Sequence, residues 1–135
     1  MAPILERYQP IAAAWLFGLV ARGDARPESD VDIGLLLRNP RETAADQYLL
    51  LGELAARIES VTTPRIVDLV LLEPQGPMFC HRVLIEGVLI CEPDRERRIS
   101  FATRTVIRAL DFRPTYELAL AGQADGIRRR LRELP

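Results

Sequence analysis

Two apolar segments on either side of a polar stretch constrain the fold of this chain more than any other feature. Residues 13–18, AAWLFG, and residues 31–37, VDIGLLL, have the length and composition of buried β-strands. The stretch between them, LVARGDARPES, is rich in glycine, proline and charge, so it is predicted to be a loop. Alternation along the second segment places Val31, Ile33 and Leu35 on one face, and Asp30, Asp32 and Gly34 on the other.

Helical and extended patterns alternate along the rest of the chain. The spacing of apolar residues predicts a short N-terminal helix, a helix ending near Ser60 and a helix stopped by Gly87. RIVDLVLL, residues 65–72, and VLIC, residues 88–91, are predicted to be further strands. The buried side of the helix ending near Ser60 is expected to contain Tyr48, Leu51, Leu54, Ala55 and Ile58. This order of elements is typical of an α/β or α+β domain.

The C-terminal segment has the pattern of a helix that begins near Asp94. Its inward positions are expected to be Ile99, Ala102, Val106 and Leu110. Pro114 is expected to interrupt it, and residues 115–134 are expected to form a further helix. Residues 1–94 carry a net charge of −6, whereas residues 95–135 carry +5. The basic segment is either a solvated helical face or a docking surface for an acidic protein or RNA.

Composition excludes several classes of function. All 18 basic residues are arginine, which rules out a catalytic lysine, a Schiff base or a P-loop lysine. The first residues, MAPILERYQP, lack the apolar core of a signal peptide. No apolar run approaches the ~18 residues that a membrane span requires. We therefore expect a cytoplasmic protein that does not interact with membranes.

Three aspartates are candidate metal ligands. Asp30 and Asp32 are two residues apart on a predicted strand, so their Cα atoms lie about 6.5 to 7 Å apart on one face and their charges repel. Asp68 interrupts an apolar strand, where we expect it to be buried; an isolated ionised carboxylate there costs several kcal/mol unless it is paired or binds a metal. Three carboxylates on neighbouring strands are typical of a two-metal phosphoryl or nucleotidyl transfer site. The alternative is that they are simply solvated, since a single Asp-x-Asp is common.

The loop between the first two strands offers candidate phosphate ligands. Gly18 allows backbone N–H groups to approach a phosphate closely. Arg22 can form charge-assisted hydrogen bonds to phosphate oxygens. Ser29, just before Asp30, either positions the loop or contacts the substrate.

Residues 18–32, GLVARGDARPESDVD, resemble the signature of the nucleotidyltransferase superfamily related to DNA polymerase β. That signature is Gly-Ser, ten residues and then Asp-x-Asp, which Gly18, residues 20–29 and the pair Asp30 and Asp32 match. In that family a third carboxylate lies on a later strand, where Asp68 falls. The resemblance covers about residues 4–92. LDFRP, residues 110–114, resembles the C-terminus of MntA-type antitoxins, whose genes neighbour a HEPN-domain ribonuclease toxin.

The resemblance implies a fold and an activity. The fold is a mixed sheet of about four strands flanked by helices, with residues 1–93 as the nucleotidyltransferase core and residues 94–135 as a C-terminal helical extension of the same domain. The activity is transfer of AMP from ATP to a tyrosine hydroxyl of a HEPN toxin, with two Mg²⁺ ions held by Asp30, Asp32 and Asp68. ATP and the toxin are the expected partners, and nucleic acid is not expected to be a direct ligand.

One position departs from the family pattern. Leu19 stands where the family has the serine that contacts the terminal phosphates of the nucleotide. The resemblance implies that the nucleotide is bound by Gly18, Leu19, Arg22 and Ser29. Leucine keeps the backbone N–H but lacks the hydroxyl. For this reason one alternative is a catalytically weakened antitoxin that neutralises the toxin by binding alone. A further alternative, which does not depend on Leu19, is a nucleotidyltransferase that acts on a small molecule or an RNA end.

Overall fold

The computed structural model describes residues 2–18, 23, 30–61 and 66–132. Within these residues the chain forms four strands and four helices. In chain order these are α1 (Ala2–Arg7), β1 (Ile11–Phe17), β2 (Val31–Leu37), α2 (Ala44–Glu59), β3 (Val67–Leu71), α3 (Pro77–Glu86), β4 (Val88–Cys91) and α4 (Arg95–Arg132). The four predicted strands are thereby confirmed.

The strands form one mixed sheet in the order β3-β2-β1-β4. β1 is antiparallel to both β2 and β4, whereas β2 and β3 are parallel. A parallel pair needs a long crossover, which α2 supplies between β2 and β3. As a result, the end of β1 and the beginnings of β2, β3 and β4 meet at one edge of the sheet. This arrangement confirms the expected α+β architecture with a mixed sheet.

Both faces of the sheet are covered by helices. One face packs against α1 and α2 through Leu5, Leu54 and Ile58, which contact the predicted apolar face of β2. The opposite face packs against α3 and α4, where Trp15 and Leu36 share a cluster with Phe101. The rings of Trp15 and Phe101 have centroids 6.2 Å apart.

The buried side of α2 differs in part from the prediction. Leu54 and Ile58 are fully buried, as expected, and Leu50 completes the stripe. Tyr48 was expected to be buried but is 78% exposed. At 3.6 residues per turn Tyr48 lies about 120° around the helix from Leu54, which places it outside the stripe.

Helix α4 is a single element of 38 residues, so the predicted break at Pro114 is wrong. Proline costs a helix about 3 kcal/mol, but its neighbours include alanine, leucine and arginine, which are strong helix formers. The helix begins where expected, since Asp94 Oδ1 accepts a hydrogen bond from the Arg97 backbone N–H at 3.1 Å. In the described part of the chain, no helix has the length and apolarity needed to cross a membrane.

The face that α4 turns towards the core is also not the predicted one. Among the α4 side chains that the structure describes, the buried ones are Phe101, Thr105 and Ala109, which follow each other at intervals of one turn. Ile99, Val106 and Leu110 were expected inside but are 46%, 40% and 61% exposed. The size of Phe101 and its contact with Trp15 fix the rotation of the helix and turn the aliphatic residues outward.

Candidate functional site

The predicted carboxylates lie at the edge of the sheet where β1 ends and β2 and β3 begin. Asp32 is the register partner of Asp68 in the parallel β2–β3 ladder. Neighbouring strands are about 4.8 Å apart and side chains at paired positions point to the same face. The ladder extends to this edge, because the Val31 backbone N–H donates to the Ile66 carbonyl oxygen at 2.8 Å. Two aspartates that are far apart in sequence therefore lie side by side.

Asp30 and Asp68 are exposed, whereas Asp32 is half-buried. The expectation that Asp68 is buried is therefore wrong, and the physical reason is its position on β3, an outer strand of the sheet. Asp30 immediately precedes β2 and has the same parity as Asp32, so it belongs to the same face. The desolvation cost that the sequence analysis assigned to Asp68 instead falls on Asp32.

The electrostatic surroundings of Asp32 raise the pKa of its carboxyl above the usual 3.8. Burial is the largest cause, and the negative charges of Asp68 and Asp30 add to it. Each of these effects opposes ionisation of Asp32. No ion pair among the described residues involves any of the three aspartates. A cation at this edge would relieve the repulsion.

Gly18 lies against Asp32. Its φ is +76°, in the left-handed region that glycine tolerates best. A Cβ at this position would lie 2.3 Å from Asp32 Oδ2, closer than any real contact allows. Glycine is thus needed at position 18 for two reasons: the left-handed backbone conformation and the close approach of the main chain to the carboxylate.

An aromatic pair that the sequence analysis missed lies beside these groups. Phe17 is the register partner of Asp32 across the antiparallel β1–β2 ladder. Its ring meets the ring of Phe79 from α3 edge to face, with centroids 5.7 Å apart and planes at 89°. Phe17 could have been identified from the sequence, because it directly precedes Gly18. Its contact with Phe79 could not, because nothing local in the sequence links the two residues.

The other predicted nucleotide ligands, Leu19, Arg22 and Ser29, lie outside the described residues. In residues 2–18, 23, 30–61 and 66–132, no group of three or more His, Cys, Asp or Glu side chains is arranged to hold a metal ion. The donor chemistry nevertheless fits Mg²⁺, which proteins usually bind through one or two carboxylates together with substrate phosphate oxygens rather than in a complete protein cage. The aspartates therefore fit a magnesium site that the substrate completes.

Comparisons with known proteins agree with this geometry. Residues 1–96 match the family described as "Polymerase beta, Nucleotidyltransferase". No curated protein sequence matches the chain. Because residues 1–96 make up more than half of the chain and include all three aspartates, that match is the one that assigns the family.

Solved structures with the same fold include three toxin–antitoxin complexes. A toxin–antitoxin with AMP-PNP gives a TM-score of 0.58 at 21% identity, covering 96% of this chain and 94% of the other. MntA–HepT gives 0.52 at 20% identity, covering 96% and 92%. The tri-AMPylated Shewanella oneidensis HEPN toxin in complex with MNT antitoxin gives 0.51 at 18% identity, covering 97% and 99%. At these identities the likeness to the solved structures shows a shared fold. The match over residues 1–96 shows more: the chain belongs to the polymerase beta nucleotidyltransferase family.

Proposed function

We propose that this chain is a nucleotidyltransferase antitoxin that transfers AMP from ATP to a tyrosine hydroxyl of a HEPN ribonuclease toxin. The observation that carries the proposal is the alignment of Asp32 with Asp68, next to Asp30 and Gly18, in a chain of this family. The solved neighbours support the choice of reaction, since one contains AMP-PNP and another a tri-AMPylated HEPN toxin with an MNT antitoxin.

The three aspartates would divide the catalytic work. Asp30 and Asp32 would hold both Mg²⁺ ions and Asp68 one of them. When bound, the ions supply neutralisation of the phosphate charge and orientation of the attacking and leaving oxygens. Asp68 is exposed, so an acceptor hydroxyl can approach it, and we assign it the role of accepting the hydroxyl proton.

The reaction is a substitution at the α-phosphorus of ATP. The tyrosine oxygen forms a bond to this phosphorus, the bond to the bridging oxygen breaks and pyrophosphate leaves. The tyrosine proton passes to Asp68. The half-buried position of Asp32 favours its role as a metal ligand, because weaker screening by solvent strengthens the attraction between its carboxylate and a bound cation.

The described structure favours a protein acceptor. After β4 the chain forms one long helix, α4, and no bundle of helices that would enclose a small acceptor is present in the described part of the chain. We accordingly propose residues 1–93 as the catalytic core and residues 94–135 as an extension of the same domain. The toxin would then supply the surface that holds the acceptor.

Mass spectrometry tests the proposal directly. The chain is incubated with ATP, Mg²⁺ and a purified HEPN-domain toxin, the neighbouring genes being searched first for its own partner. We expect the HEPN protein to gain the mass of one or more AMP groups, and EDTA or replacement of the modified tyrosine by phenylalanine to prevent the gain. No gain under these conditions would contradict the proposal.

Leu19 favours a second candidate, in which the chain neutralises the toxin by binding alone. This candidate predicts a tight complex without nucleotide and protection of cells by the Asp32→Ala variant. Loss of protection in that variant would exclude it, because binding alone does not need the carboxylate.

The Leu19→Ser variant is expected to transfer AMP roughly 10 to 150 times faster than the natural chain at low ATP concentration. A hydroxyl that bonds a charged phosphate contributes about 1.5 to 3 kcal/mol, and leucine cannot form that bond. The measurement is kcat/KM for ATP, with Leu19→Ala as the control that removes the leucine branch without adding a hydroxyl. If serine and alanine act alike, the missing hydroxyl is not what limits the enzyme.

A further inference from the structure

A cavity of about 50 Å³ lies between helices α3 and α4. Its walls come from the turn after β3, the start of α3 and two turns of α4. The side chains that line it include Glu73, Cys80, Phe101, Arg104, Thr105 and Arg108. The volume is several times the roughly 10 to 15 Å³ that one water molecule needs, so a small polyatomic ion fits.

The cavity is separate from the three aspartates, none of which lines it. Glu73 lies two residues after the end of β3, whereas Asp68 is the second residue of that strand. Because β2 and β3 are parallel and begin at the carboxylate edge, their ends lie at the opposite edge of the sheet. Any ligand of the cavity is therefore distinct from a nucleotide bound at the aspartates.

Thr105 is a buried polar side chain in the wall of this cavity, with only 5% of its surface exposed. Its hydroxyl forms no hydrogen bond with any described residue, although buried hydroxyls normally have a partner. Fully enclosed side-chain oxygen and nitrogen atoms do all have partners in the described part of the chain. The unpaired hydroxyl of Thr105 is therefore accessible from the cavity, where a ligand can supply the missing partner.

Two arginines flank this hydroxyl. Arg104 and Arg108 are one helical turn apart, so they lie on the same side of α4 as the cavity that both of them line. Both are exposed, and within the described ranges neither forms an ion pair, not even with Asp111 on the same helix. Guanidinium groups form strong, charge-assisted hydrogen bonds to phosphate and carboxylate oxygens.

The other ionisable groups of the lining do not cancel this positive charge. Glu73 is already paired with Arg97, so the two together are neutral. Burial, with the charge of Glu73 as a second cause, raises the pKa of the Cys80 thiol to about 11, so the thiol is uncharged at neutral pH. Arg104 and Arg108 thus leave two uncompensated positive charges at the cavity.

We propose that the cavity between α3 and α4 binds a phosphate group, with Arg104 and Arg108 donating to its oxygens at the mouth and the Thr105 hydroxyl bonding it inside. A phosphate dianion matches the two free positive charges, whereas a carboxylate carries only one. The inference does not rest on the proposed function, since none of these residues takes part in AMP transfer. Inorganic phosphate and the phosphate of a nucleotide present the same group, and the test separates the two sources.

The test is calorimetry in EDTA, with inorganic phosphate and AMP as separate probes. EDTA removes the metal through which a nucleotide would be held at the aspartates. We expect the natural chain to bind phosphate saturably, and Arg104→Gln/Arg108→Gln to raise the Kd about tenfold or more, because two charge-assisted contacts are lost. The matched control is Arg82→Gln/Arg95→Gln, which removes the same charge from two exposed positions outside the lining and should leave the Kd unchanged.

Thr105→Val distinguishes a bound group from a general attraction to positive charge. Valine keeps the shape of the side chain and removes the hydroxyl. We expect the Kd for phosphate to rise roughly tenfold. Without phosphate the melting temperature should not fall, because the hydroxyl that is removed has no partner in the described structure.

The outcomes separate the cavity from its alternatives. If neither probe binds the natural chain, or if Arg104→Gln/Arg108→Gln binds as tightly as the natural chain, the inference is overturned. Equal loss of affinity in Arg82→Gln/Arg95→Gln would also overturn it, since overall charge would then hold the phosphate. If AMP binds through the two arginines and inorganic phosphate does not, the inference holds with a nucleotide as the source of the group. None of these results bears on AMP transfer to the toxin, which is measured separately.

Discussion

The Asp32→Asn variant is expected to lose AMP transfer by about a thousandfold or more and, at the same time, to be more stable than the natural chain in metal-free solution at neutral pH. The first effect follows from the loss of a carboxylate that we assign to both Mg²⁺ ions. The second follows from the surroundings of Asp32, where burial, Asp68 and Asp30 all oppose its charge and raise the pKa of its carboxyl above 3.8.

The pH dependence of the stability difference has a definite sign. A carboxyl whose pKa is raised by folding costs stability when it is ionised, so the cost is full above the raised pKa and declines as pH falls. Below 3.8, the ordinary value, the carboxyl is protonated in both the folded and unfolded states and the cost vanishes. The melting temperature of Asp32→Asn in EDTA should therefore exceed that of the natural chain at pH 7, and the two should converge in acid.

Asp111→Asn provides the control, because Asp111 is exposed on α4 and distant in sequence from the aspartate group. We expect it to change neither the rate of transfer nor the pH dependence of melting. A lower melting temperature for Asp32→Asn than for the natural chain at pH 7 in EDTA would contradict the electrostatic account of Asp32.

Replacing Gly18 by alanine is expected to lower the free energy of unfolding by about 2 to 5 kcal/mol. Part of the loss comes from the left-handed backbone at φ +76°, and the rest from the methyl group, which would meet Asp32 Oδ2 at 2.3 Å. Because the carboxylate must move to make room, AMP transfer should fall by about a hundredfold.

A double-mutant cycle separates the two causes. In the Asp32→Ala background the carboxylate is absent, and the nearest remaining atom, Cβ of residue 32, is at an ordinary distance of 3.6 Å. Gly18→Ala should then cost only the backbone term of about 1 to 2 kcal/mol, as measured by urea unfolding. An equal cost in both backgrounds would show that the contact with Asp32 is not what excludes a side chain at position 18.

The sheet was accessible from the sequence because its signals are local. The alternation around Ile33 and the run of apolar residues around Leu69 indicate strands independently of the rest of the chain. The aspartate pair Asp30 and Asp32 is equally local, since two residues on one strand share a face by geometry alone. Asp68 was identified because it is the one acid in an otherwise apolar run, and the family resemblance agreed with that choice.

Several features that the sequence did not reveal depend on tertiary packing. The burial of Asp68 depends on whether β3 is a central or an outer strand, which only the strand order reveals. The rotation of α4 is set by the contact of Phe101 with Trp15, and hydrophobicity alone favours turning Val106 and Leu110 inward instead. The approach of Gly18 to Asp32 required the antiparallel register as well as the glycine itself.

The parallel pairing of β2 with β3 has a consequence for the time at which a newly made chain can begin to work. β1 and β2 are neighbours in sequence and can pair early, which brings Gly18 next to Asp32. Asp68 comes next to Asp32 only after α2 has formed the connection and β3 has paired with β2. Such long-range pairing is the slower part of folding. A nascent chain released from the ribosome only as far as α2 would hold only two of the three aspartates that we propose as the catalytic group.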